Sequence, residues 1–236
     1  MLRRFSKNIL NGILICILQL LFLSWKSEKK KSAITFISNN FVRDWISQGF
    51  VVPAPKLVKQ FILKDYSIAG SDWIETGTHT GEMSDFLSKF ANRVITIEPS
   101  SYFCELASTN LKNIENIDIL LGTSETNIEI ACKKVSGNVA FWLDGHYSGG
   151  ETFKGASECP VPHELEIIEK CFSSWTSTTI FIDDFREFKT HPHENSDYPS
   201  NTFLANWATK IGLNWTVEND IFIASTNPLV RNSKKL

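Results

Sequence analysis

Asp144 closes the run VAFWLD at 139–144, and Asp183 and Asp184 close TTIFIDD at 178–184. Carboxylates brought to one place repel one another unless a cation or a proton intervenes. A hard divalent ion such as Mg²⁺ takes oxygen ligands and keeps waters that a substrate oxygen can replace. Asp144, Asp183 and Asp184 therefore form a candidate metal set, and an ion there would make a bound hydroxyl easier to deprotonate. A second reading makes Asp183–Asp184 a hydrogen-bonded turn with only one acid pointing inward, and Asp144 a cap or the partner of a bound amine. His146 lies two residues past Asp144, in LDGHYSGG. Imidazole titrates near neutral pH, so His146 is a candidate general base beside Asp144, the other candidate catalytic residue. A hydrogen bond within its own loop is the alternative for His146. Tyr147 would line the same mouth.

A second set surrounds the turn E-T-G-T-H-T-G at 75–81. Glu75 ends an apolar run, and Gly77 and Gly81 allow a tight turn in which backbone can approach a ligand closely. The helix expected next offers unpaired N–H groups at its start. Twenty-odd residues on, Glu98 ends RVITIE, and an acid there can accept both hydroxyls of a ribose. Glu75, Gly77, Thr78, Gly81 and Glu98 are candidate residues for a nucleoside cofactor. The dinucleotide fingerprint G-x-G-x-x-G is not met, and no G-K-[ST] occurs, which excludes a P-loop.

These residues need elements to hold them. Short apolar runs predict strands at 72–75, 93–98, 117–122, 139–144 and 178–183. Helical periodicity predicts helices at 82–91, 101–112, 125–134, 161–172 and 202–212, the last ended by Gly212. Residues 213–225 read as two strands joined at Glu218–Asp220. Upstream, Phe36, Ile37, Phe41 and Trp45 recur at helical spacing, and Pro55 starts a second helix with Leu57, Val58, Phe61 and Ile62 on one face. Strand and helix alternate, so an α/β fold with a parallel sheet and helices on both faces is expected. Ligands in such folds bind beyond the carboxyl ends of the strands, where all the acids above are expected.

On the glycine spacing and the two acids, the chain resembles the class I S-adenosylmethionine-dependent methyltransferases over roughly residues 50–226. That resemblance implies a Rossmann-like, mostly parallel seven-stranded sheet with a C-terminal antiparallel hairpin. It implies S-adenosyl-L-methionine as cofactor, with the Gly77–Gly81 loop along its methionine part, Glu98 on the ribose, and Thr123 and Ser124 near the adenine. Asp144 with the Asp183–Asp184 pair resembles the metal-dependent O-methyltransferases of that class. The longer pattern LDGHYSGG, CP, EL and IDDFREF is similar to a bacterial group associated with polysaccharide genes. The expected activity is methyl transfer to a hydroxyl of a small molecule or sugar, assisted by Mg²⁺. The alternatives are an NAD-dependent Rossmann-type oxidoreductase and a non-catalytic binding protein with the same fold.

Composition narrows the partners. The chain has 236 residues, is 42% hydrophobic and 21% charged, and carries a formal net charge of −2. No basic stripe is interleaved with aromatics, so nucleic acid is not expected as a partner. Cys16, Cys104, Cys132, Cys159 and Cys171 form no C-x-x-C pair, which argues against zinc and a disulfide framework. Residues 9–25 carry no charge and follow a basic stretch. They are slightly short for a bilayer span of about 20 residues. The expected organisation is residues 1–32 as a helix and linker that anchors to a membrane or packs on protein, then 33–68 as leading helices and 69–226 as the core of a 33–236 domain. The location expected is cytoplasmic, or membrane-anchored facing the cytoplasm. Residues 186–201, with His191 and His193, read as a polar surface loop or lid.

Overall fold

Strands that read as unbroken apolar runs are those covered on both faces. The computed structural model of the chain describes residues 40–145, 158–189 and 197–230. The chain divides into two units, Met1–Val51 and Val52–Leu236. In the first, helix α1 (Asn40–Ser47) is described, and Trp45 Nε1 donates to Val51 O at 2.8 Å. The residues 9–25 lie outside the described part, and no described helix is long and apolar enough to cross a membrane.

The second unit opens with α2 (Lys56–Tyr66) and then alternates. Its elements are β1 (Asp72–Thr76), α3 (Glu82–Ser88), β2 (Arg93–Glu98), α4 (Ser101–Leu111), β3 (Ile117–Leu121), α5 (Ser124–Cys132), β4 (Asn138–Leu143), α6 (Val161–Cys171), β5 (Ser177–Ile182), α7 (Asn201–Lys210), β6 (Asn214–Glu218) and β7 (Ile221–Ser225). Strand order in the sheet is β3-β2-β1-β4-β5-β7-β6. The first five strands pair in parallel, and β7 runs antiparallel to both β5 and β6. This is the expected seven-stranded Rossmann-like architecture.

Local chemistry explains most boundaries. Pro55 precedes α2, where a missing N–H costs nothing, and Ser100 accepts from Phe103 N to cap α4. Helix α3 stops three residues before the expected 91, because Lys89 and Phe90 donate to carbonyls three residues back and tighten the last turn. Asn219 and Asp220 both have positive φ, as a two-residue turn between β6 and β7 requires. Gly212 has φ +77, and the Leu213 N–H reaches back to Ala208 O at 2.9 Å to close α7.

Side chains from both faces of the sheet build the core. Trp73 of β1 stacks on Phe181 of β5 with ring centroids 5.7 Å apart. On the other face Phe141 meets Trp175 at 5.5 Å. Fully burying an aromatic of this size stabilises by about 2–3 kcal/mol. Tyr66 at the end of α2 donates to Glu218 at 2.8 Å, which ties the helix before β1 to the C-terminal hairpin.

Candidate active site

The order 3-2-1-4 reverses direction between β1 and β4, and such a switch point leaves a crevice at the carboxyl ends of the strands. A cavity of about 470 Å³ lies there, within the range that takes a cofactor-sized ligand. Its floor is the loop after β1, with Gly77, Thr78, His79 and Thr80. Glu98, Pro99 and Phe103 line one side. Trp142, Asp144 and Asp183 line the other, and Lys56 and Lys59 come from α2.

The loop has its shape for steric reasons. Gly77 has φ +88, and a Cβ on it would lie 2.5 Å from Asp144 O. The loop backbone therefore rests directly on the end of β4. Gly81 has φ +83, and its Cβ would meet the Leu111 side chain. His79 also takes positive φ and lies against Phe103 with centroids 4.2 Å apart.

Glu98 is buried on the cavity wall. Its Oε2 accepts from His79 N at 2.7 Å and its Oε1 from Ser100 N at 2.9 Å. One donor comes from the loop after β1 and the other from the start of α4. The carboxylate is thus fixed in orientation and keeps further lone pairs for ligand hydroxyls. Thr78 turns its hydroxyl to Thr96 at 2.5 Å, so its contribution to the cavity is from the rest of the residue.

Glu75 is not on the cavity wall. It is fully buried behind the loop and accepts from Ser84 of α3. Burial pushes its carboxyl up to about 7, the neighbouring Glu98 charge adds to this, and the Ser84 and Thr96 hydroxyls oppose it. Thr123 and Ser124 do not line the cavity either. They open α5, where Thr126 Oγ1 donates to Thr123 O at 2.9 Å and Ser124 is buried in the helix start.

The acid cluster departs from the expected metal set. Asp183 is buried, continues the ladder through its N–H to Leu143 O at 3.1 Å, and its Oδ2 accepts from Lys59 Nζ. Asp184 sits in the left-handed region at φ 52 and opens the turn after β5. Its carboxylate pairs with Arg186 at 2.7 Å, and Arg186 also binds Asp220. Lys59 Nζ is 3.6 Å from Asp184 and so stands between the two acids. Burial would lower its pKa, but attraction to Asp183, then to Asp144 and Asp184, raises it overall. Among the described residues no three His, Cys, Asp or Glu side chains gather as a metal site. The described residues give no support to the Mg²⁺ expectation, and the cation found beside these carboxylates is the lysine of α2. Of the proposed metal set, Asp144 and Asp183 reach the cavity, and Asp184 faces Arg186.

Lys59 and His79 were not among the expected site residues. His79 had a signal, as a histidine in the middle of a glycine turn. Lys59 had none, since 124 residues separate it from Asp183. His146, Tyr147, His191 and His193 lie outside the described residues.

The fold is the Rossmann-like fold of class I methyltransferases. No family model matches the chain, and no curated protein matches it. Solved structures of similar fold include an rRNA methylase from Streptococcus thermophilus, at 15% identity and TM-score 0.42, covering 74% of this chain and 96% of that one. Aeropyrum pernix fibrillarin with natively bound S-adenosyl-L-methionine is similar at 14% identity and TM-score 0.46, over 71% and 73% of the two chains. A precorrin-6y C5,15-methyltransferase from Geobacter metallireducens is similar at 9% identity and TM-score 0.45, over 74% and 88%. The expectation that nucleic acid is no partner is withdrawn, because rRNA methylases are among the chains of this fold.

Proposed function

We propose that the cavity binds S-adenosyl-L-methionine and that the chain is a methyltransferase acting on an acceptor oxygen brought to the Asp144–Asp183 side. Bound there, the cofactor supplies a methyl group on a positively charged sulfur. The observation that carries the reading is Glu98, a buried carboxylate on the wall of the switch-point cavity, fixed by two backbone N–H groups. Such a group suits the paired hydroxyls of a ribose. The Gly77–Gly81 loop would border the methionine part, and Phe103 offers an apolar face beside Glu98. Four carboxylates and two ammoniums stand on the described wall, a balance that favours a ligand with positive charge. Catalysis would come from alignment and from charge already in place. Acceptors to be tested are sugars, phenols and, given the fold neighbours, RNA.

Calorimetry with S-adenosyl-L-methionine and with NAD tests the cofactor. Binding of the first alone is expected, and binding of NAD alone would refute the reading. Transfer from methyl-labelled cofactor to each acceptor class then separates an enzyme from a binding protein.

A further inference from the structure

Lys59, paired with Asp183, is the part of the cavity that no resemblance accounts for. Asp183 is 2% exposed, lines the cavity and uses Oδ2 for Lys59. Its Oδ1 is buried and accepts no hydrogen bond among the described residues. An unmet carboxylate oxygen inside a protein is costly, so a ligand that donates a hydrogen to it gains from the match. Lys59 carries three N–H donors. One goes to Asp183 and a second lies within reach of Asp184, which leaves a third unassigned among the described residues, on a lysine that lines the cavity.

We propose that Lys59 acts as the built-in cation of the acceptor site, in place of a divalent ion, and that with Asp183 it forms a site for a neutral hydroxyl. The acceptor O–H donates to Asp183 Oδ1, and Lys59 Nζ donates to the oxygen of the acceptor hydroxyl. A hydroxyl is the group that both gives a hydrogen and offers lone pairs on one atom. A carboxylate or phosphate would meet the excess of acids on this wall, and a protonated amine would meet Lys59 with no lone pair to offer. The naming of this ligand as the methyl acceptor rests on the reading above, whereas the cation exchange does not.

Two measurements on the full chain test it, and neither needs the cofactor. The first is Mn²⁺ binding, followed by electron paramagnetic resonance, to wild type, Lys59→Ala, Lys59→Arg and Lys59→Ala/Asp183→Asn, each checked for folding by circular dichroism. Lys59→Met replaces the alanine variant if that variant does not fold. Removal of the ammonium should raise Mn²⁺ affinity by about tenfold, the arginine should keep it at the wild-type level, and the double variant should lose the gain. Equal Mn²⁺ affinity in wild type and Lys59→Ala overturns the cation role. The second is saturation-transfer NMR with phenol and benzoate as probes. Phenol should bind wild type and lose its signal in Asp183→Asn. A preference for benzoate, no phenol signal in wild type, or equal signal in Asp183→Asn overturns the hydroxyl assignment. If S-adenosyl-L-methionine fails to bind while both results hold, the methyl-transfer reading falls and the hydroxyl site stands.

Discussion

Replacing Glu75 by Gln is expected to make the protein more stable at pH 8 and to leave it nearly unchanged at pH 4.5. Glu75 is fully buried, and its carboxyl is pushed from an ordinary 4.5 up to about 7. Below pH 4.5 the group is protonated in both the folded and the unfolded chain, so its favourable contribution is complete. Between 4.5 and about 7 the folded chain binds more protons than the unfolded one, and stability falls as pH rises. Above 7 the contribution is gone. At about 1.4 kcal/mol per tenfold, the interval corresponds to roughly 3 kcal/mol. Gln keeps the shape and can still accept from Ser84, but it has no charge to bury. Urea unfolding of wild type and Glu75→Gln across pH 4.5–8 measures the effect. Other carboxylates titrate in both proteins, so the informative quantity is the difference between the two curves. A difference that does not grow with pH would refute the argument.

Gly77→Ala should cost more than Gly81→Ala, since its Cβ would strike backbone at Asp144 and the other would strike a movable Leu111 side chain. Thermal melts should separate them, with at least about 1–2 kcal/mol lost at Gly77 from the backbone conformation alone. Glu98→Gln should weaken S-adenosyl-L-methionine binding by about tenfold or more in calorimetry, because bonds to a charged acceptor are worth about 1.5–3 kcal/mol. Arg186→Ala leaves Asp184 and the buried Asp220 without their shared guanidinium. A loss of about 2 kcal/mol in urea unfolding is expected, below the range for fully buried pairs because Arg186 is partly exposed.

The alternation of elements was readable because the strands carry short apolar runs, such as VAFWL in β4 and IFI in β5, and the helices carry an apolar face. Gly77 and Glu98 were readable because their types are fixed by backbone geometry and by strand ends. The reach of the acids was only half readable. D-D after a strand predicts two carboxylates, but the left-handed turn at Asp184 and the lysine that both acids approach leave no mark in composition. Lys59 was hidden for another reason. Helix α2 was read for its apolar face, and only the finished sheet brings it over the end of β5. Glu75 looked like a ligand because it ends a strand, yet the last residues of a buried strand can equally turn inward, as the contact with Ser84 shows.

The position of β7 has a consequence for how the chain is made. It is the last strand in sequence but sits between β5 and β6, and Asp220 at its start holds the turn after β5 through Phe185 N at 2.9 Å and Arg186 N at 2.8 Å. A chain emerging from the ribosome presents its N-terminal parts first. Strands β1 to β4, with Gly77 and Glu98, can assemble while β5 is still an open edge available to other chains. The turn carrying Asp183 gains its support only when residue 220 has emerged. A nascent chain halted before that point would hold the Gly77 and Glu98 side of the cavity, an unclosed Asp183 side and an edge prone to aggregation.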